Sequence, residues 1–486
     1  MPNCIRMLAI MENEESTGAI SIEEDRLEER SSVFRKELGL TDLVFTQILF
    51  IVGLPWVGVA AKQGPSHTIL WILAALLFYV PSAFVVIHLN RAMPLEGGVY
   101  QWAKLGLNEL IGFVVAWNLW LFAILNTSEI GLQLTQYFIY IAGTESQGLA
   151  ENKLFIGGVN LVVIALLVVI TVIGLGVGKW VHKAGGALMV ITFATIIALP
   201  IINWWTGSLK TYEPVTFAMP VWNLMTFNLL GKMGFGAFGG FEYVALHAGE
   251  ARDPVRTIGR SVAIAAPIIA LMFILGTSAV LNLVPQDQID LIAPVPQVLS
   301  MGFGPLGGVA AVGTLTIFAL MSIRLAQSSV MFGGNTRLPM VAGWDNLLPE
   351  WFTRLHAKYR TPVNSILFVG AATFFMSVVG LIGVGKQEAF QILWNASGLF
   401  YALTYVVMFA IPIFGLRSAT TTVPTWLSVA AIFGLMMTLL YVALSVVPII
   451  NVENRFAFAA KIGGLTIMMN IIGVGIFLLA KRRRPI

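Results

Sequence analysis

Val52-Gly53-Leu54-Pro55-Trp56-Val57-Gly58 sets a proline between two glycines, part-way along the apolar run from Leu40 to Ala61. A run of that length crosses about 30 Å of hydrocarbon as a helix. Proline removes a backbone donor and glycine weakens a helix, so this stretch predicts a membrane helix that breaks inside the bilayer. Gly231-Lys232-Met233-Gly234-Phe235-Gly236-Ala237-Phe238-Gly239-Gly240 predicts a second break, within the run from Val221 to Leu246. In chain order these are the first and sixth apolar runs. An odd offset reverses the direction of crossing, and paired interruptions of this kind predict an inverted five-plus-five repeat. Glycine also permits close helix packing, and most of the 47 glycines serve that purpose.

Composition agrees that the surrounding solvent is lipid. The 486 residues are 57% hydrophobic and 11% charged, with a mean hydropathy of +0.83, far more apolar surface than one soluble core can hide. The result is an all-α membrane protein of about 12 transmembrane helices. Residues 1–39 are predicted as an acidic, solvated cytoplasmic tail, and Ile5 to Met11 is too short for the apolar core of a cleavable signal. Residues 40–416 are expected to form a ten-helix inverted-repeat core, as repeats of about 40–205 and 221–416, and 417–486 to add two helices and a basic cytoplasmic end. A net charge of +4 does not signal nucleic acid, because the basic residues are spread through short loops without a groove or arm. Cys4, the single cysteine, allows neither an intrachain disulfide nor a cysteine zinc cluster.

Lysine and arginine fix the expected orientation. With both termini in the cytoplasm, Arg91, Lys183, Arg252, Arg256 and Arg260 fall inside together with the basic C-terminus, while Lys62, Lys153, Lys210 and Lys386 are among the few outside. An even number of spans preserves that asymmetry in the cytoplasmic, or inner, membrane.

A break exposes N–H and C=O groups that lipid cannot satisfy, so protein, water or a ligand must complete them. An amino acid carries both complements. Its carboxylate is expected on the amides around Gly53, Leu54, Trp56, Val57 and Gly58, aided by the positive end of the following half-helix, and its ammonium on carbonyls near Phe235 and Gly236. Pro55 has no N–H to offer.

Several stretches carry a family resemblance: Pro94-Leu95-Glu96-Gly97-Gly98-Val99-Tyr100, Ala237-Phe238-Gly239-Gly240-Phe241-Glu242, Gly249-Glu250-Ala251-Arg252-Asp253-Pro254, and the loop from Arg337 through Trp344-Asp345-Asn346 to Val363. In this order, over roughly Gly39 to Leu416, the chain resembles the amino acid–polyamine–organocation (APC) superfamily of permeases. The resemblance implies the LeuT-type fold, a ten-helix inverted-repeat core plus two extra helices, and coupling to protons, sodium or exchange. It also implies substrate contacts at Trp56, Phe235, Phe238 and, on the tenth span, Trp394. Two positions depart from it. Met189 stands where some proton-coupled relatives carry a lysine, leaving a sodium site at Ser328 and Ser329 or simple exchange open. Asn126 stands where polyamine-uptake relatives carry an aspartate, which favours a neutral, apolar amino acid over a polyamine or other organocation.

Four charges are predicted within the spans: Glu129, Lys232, Glu242 and Arg324. Each costs about 2.5 to 3.5 kcal/mol in hydrocarbon, so they should face the bundle and find partners. Glu242 is a candidate for coupling or gating, or for tying off broken backbone. For Glu129, Lys232 and Arg324 the first reading is packing, the second coupling, with Lys232 or Arg324 as the neutraliser of Glu129. Gly174-Leu175-Gly176-Val177-Gly178-Lys179 imitates a phosphate loop but follows a membrane span and lacks the terminal Ser or Thr. The five histidines are scattered, so no metal, cofactor or catalytic triad is expected. The alternatives are a multispan enzyme, for which converging acid–base groups are lacking, and a permease-like sensor that binds without flux.

Overall fold

The computed structural model describes residues 38–483 apart from 96, 143–145, 147, 150, 307–309, 337–338, 341–346, 383–384, 416–422, 450–451 and 453. The acidic tail up to residue 37, Glu96, Arg337 and Trp344-Asp345-Asn346 therefore lie outside the described residues.

Among the described residues, ten helices are individually long and apolar enough to cross a bilayer, and the bent pair Leu40–Ile51 and Leu54–Ala61, angled by 46°, makes an eleventh. The sixth expected span is not one helix. It runs as an α-helix over Leu224–Gly231, a π-helix over Lys232–Ala237 and a 3-10 helix over Phe241–Glu250. Each piece alone is too short to cross, which is why the sequence gives about twelve apolar runs and the structure fewer continuous helices.

The first break follows from its residues. Val52 leaves helical geometry at ψ 87° and Gly53 continues extended at ψ 122°, after which Pro55 sits in the first turn of the second half. Proline is tolerated there because the missing N–H would have had no helical partner. At the sixth-span break Gly240 takes φ +141°, a conformation that L side chains rarely adopt, and a Cβ there would lie 2.6 Å from Ile51. Gly174 at φ +90° turns the chain from the fourth span, Lys153–Ile173, into the fifth, Leu175–Trp205. The imitation phosphate loop is thus a helix junction.

Contacts at the helix ends reveal direction. The Arg252 N–H donates to the Leu38 carbonyl at 3.2 Å, so the sixth span ends where the first begins. At the other end of the first span, the Lys62 ammonium donates to the Gln286 carbonyl at 3.1 Å and the Gln286 side-chain amide donates to the Lys62 carbonyl at 2.6 Å. The two broken spans therefore cross in opposite senses. The twelfth span, Arg455–Arg483, is held to the third by a reciprocal amide pair, Asn118 to Asn470 at 2.7 Å and the reverse at 3.1 Å.

Close packing of the outer helices depends on small residues. A Cβ on Gly434, in the eleventh span Thr425–Leu444, would lie 2.3 Å from the Phe409 ring, whereas one on Gly475 meets nothing within 4 Å. Gly434→Val is expected to lower thermal stability in detergent by about 1 to 3 kcal/mol through overpacking, with Gly475→Val near wild type; equal stability of the two variants would contradict this packing.

Candidate functional site

The two breaks meet through one indole. A Cβ added to Gly236 would lie 2.5 Å from the Trp56 ring, and one on Gly53 would lie 2.6 Å from the other side of it, so both glycines make room for Trp56. Trp394 on the tenth span, Lys386–Ala410, tilts against Trp56 at 5.4 Å. Beside this contact lies a cavity of about 70 Å³. One water needs about 10 to 15 Å³ by this kind of measure, so the cavity is sized for a small solute.

Helical spacing decides which side chains reach it. Phe122, Asn126 and Gln133 come from the third span, Arg324, Gln327 and Met331 from the eighth, Ala310–Asn335, and Trp394, Ser397 and Tyr401 from the tenth. Within each set the intervals of three, four or seven keep the side chains on one helix face. The third span is itself interrupted: Glu109–Ser128 and Ile130–Ala142 meet at Glu129.

The freed backbone is bonded from the neighbouring spans. Gln327 donates from one amide nitrogen to the carbonyls of Leu49 and Val52, each at 2.8 Å, and so completes the end of the first half-helix. The Gly240 N–H donates to the Tyr405 hydroxyl at 2.6 Å. Tyr405 and Tyr401 in turn donate to the two carboxylate oxygens of Glu242. Glu242 thus supports the second break through Tyr405 and touches the cavity wall through Tyr401.

Two broken helices crossing in opposite senses and enclosing a small cavity are what a permease core requires, and residues 38–480 match the amino acid permease family. The chain belongs to that family. Among relatives of this permease are an uncharacterized transporter of Legionella pneumophila, 25% identical over 77% of this chain and 80% of its own. A methylthioribose transporter of Bacillus subtilis is 23% identical over 73% of this chain and 77% of its own. A branched-chain amino acid permease of the same organism is 22% identical, covering 74% and 79%.

Of the substrate contacts expected from sequence, Gly53, Leu54, Trp56, Asn126, Phe235, Gly236 and Trp394 line the permease cavity. Three do not. Val57 is fully buried near Gly276, Gly58 packs on Pro294, and Phe238 stacks on Tyr79 at 4.2 Å and meets Trp71 edge-on at 5.1 Å. The donor set at the first break is also smaller than expected. The Gly53 N–H bonds the Ile51 carbonyl at 2.8 Å and the Trp56 N–H bonds the Gly53 carbonyl at 3.1 Å, while the Phe235 carbonyl already accepts from Gly239 at 2.9 Å.

Of the two candidate neutralisers of Glu129, Arg324 fills the role at 2.5 Å. Lys232 instead donates to Asn228 at 2.9 Å and lies over the Tyr441 ring at 5.7 Å. Ser328 and Ser329 are buried next to Gln327, outside the cavity lining, and Met189 is buried on the fifth span. Sequence reasoning passed over Gln133, Gln327, Tyr401, Tyr405 and Tyr441. The signal available was polarity at helical intervals on otherwise apolar spans: Gln133 falls one turn from Glu129, and Gln327 falls three residues from Arg324.

Gly236→Val brings two methyl groups into the Trp56 ring and is expected to abolish uptake while leaving expression and detergent monodispersity near wild type. Full uptake by this variant would detach the cavity from transport.

Proposed function

We propose that this permease is a secondary active transporter of neutral, apolar amino acids, working by alternating access in the cytoplasmic membrane with both termini inside. The observation that carries the reading is the cavity wall: Phe122, Phe235, Trp56 and Trp394 supply apolar surface, and among the described residues no Asp or Glu lines it. An apolar side chain gains about 25 cal/mol per Å² removed from water against such a wall. A polyamine would need several anions for its ammonium groups, and the two carboxylates behind the wall are already engaged, Glu129 by Arg324 and Glu242 by Tyr401 and Tyr405. The branched-chain permease among the relatives supports the same class.

A second, polar pocket, with Lys62, Asp287, Asp290, Lys386 and Arg455 in its wall, lies toward the end opposite Leu38. Phe390 belongs to that wall and stacks on Trp394 at 5.4 Å. The Phe390–Trp394–Trp56 series then acts as the partition between this vestibule and the substrate cavity. For coupling, Glu242 is the proton candidate and Ser328 with Ser329 the sodium candidate.

Uptake of labelled leucine into proteoliposomes, with proton or sodium gradients imposed and unlabelled competitors added, tests the assignment. Leucine, phenylalanine or alanine should compete and putrescine or spermidine should not; the reverse pattern would overturn the substrate class, and binding without flux would make the protein a sensor. In Glu242→Gln, a neutral amide offers one acceptor oxygen for two tyrosine hydroxyls. Binding of leucine is expected to persist while gradient-driven accumulation and its pH dependence are lost. Unchanged accumulation with an unchanged pH profile would remove Glu242 from coupling.

A further inference from the structure

We propose that Arg324, with Gln133, receives the carboxylate of the transported amino acid, in place of the backbone amides of the first break. This rests on the reading that the permease carries neutral amino acids, and it names the group that selects for their charge state. The Arg324 guanidinium lies in the cavity wall with its side chain only 7% exposed, and its bond to Glu129 leaves Nε without a partner. Gln133 also lines the cavity, is fully buried, and has neither its amide nitrogen nor its amide oxygen bonded. In a membrane interior such groups are costly to leave unpaired, so a ligand is the natural completion.

The chemistry of the two side chains points to an oxyanion. A guanidinium presents five N–H donors in a rigid fork that matches a carboxylate, and the bond from one terminal nitrogen to Glu129 engages only one edge of it. Gln133 sits one helical turn beyond Glu129 and adds an amide donor on the same face, with an amide oxygen available to the substrate ammonium. The competing receptor is depleted, because the Gly53 and Trp56 amides are engaged within their own turn.

Charge balance then sets the selectivity. Glu129 and Arg324 cancel, so a zwitterion enters without altering the net charge of the site, its carboxylate on Arg324 and its ammonium toward Gln133 and Asn126. A substrate lacking the carboxylate leaves Arg324 unsatisfied and adds an uncompensated cation, which buried sites resist.

The test compares binding of leucine and leucinamide, in which an uncharged amide replaces the carboxylate, by the purified full-length protein in detergent. Wild type should prefer leucine by about tenfold to a hundredfold, the range for hydrogen bonds to charged groups. Glu129→Gln with Arg324→Gln removes both charges together, leaving none stranded, and should bring the ratio to near one. Arg324→Lys keeps the ion pair but not the fork, guards against misfolding of the double variant, and should also lower the ratio. A wild-type ratio in either folded variant would overturn the proposal. Leucine binding that requires chloride, with leucinamide bound equally well, would assign the site to a free anion and overturn it too. No leucine binding by wild type would instead defeat the substrate class itself, so the two failures are distinguishable.

Discussion

Backbone polar groups in hydrocarbon must be bonded, and the two broken spans are where this chain cannot bond them within a helix. Gln327 meets that need at the first break and Tyr405, backed by Glu242, at the second. The need explains why the eighth and tenth spans stand beside the first and sixth: they bring the side chains that complete the interrupted ladders. It also explains why the cavity forms there. Room opened by Gly53 and Gly236 admits Trp56, and the helices held around that indole leave a small space beside it.

The same constraint organises charge. Glu129 sits at the interruption of the third span, is fully buried, and is balanced by Arg324 from the eighth. Lys232, in the π-helical turn of the sixth span, is bonded one turn back to Asn228 and covered by the Tyr441 ring. Of the four charges expected within the spans, only Arg324 contributes to the cavity wall directly, while Glu242 acts one side chain removed, through Tyr401. The residues that tie the broken spans together and those that line the cavity are consequently overlapping sets.

The breaks, the succession of spans and the opposite crossing of the first and sixth were legible because glycine, proline and apolar length act locally, without knowledge of neighbours. The rest depended on rotation. One residue turns a helix by about 100°, so boundaries uncertain by a few residues do not tell which face looks inward. Phe238, two residues beyond Gly236, consequently belongs to the aromatic packing with Tyr79 and Trp71 and not to the cavity. Pairings across long separations were equally hidden. Glu129 and Arg324 are 195 residues apart, and from sequence Lys232 was as good a partner. The amides at Gly53 and Trp56 looked free because a proline-containing break suggests a longer unwound stretch than the tight turn that forms.

A transport site in the space between the two breaks is reached from each side of the membrane in turn. Cys4→Ser with Ser397→Cys places a single thiol in the cavity wall for reaction with membrane-impermeant reagents applied to either face of proteoliposomes. Labelling is expected from both faces, with either route slowed by saturating leucine. A thiol that reacts at the same rate whether or not a transported amino acid is present would contradict it.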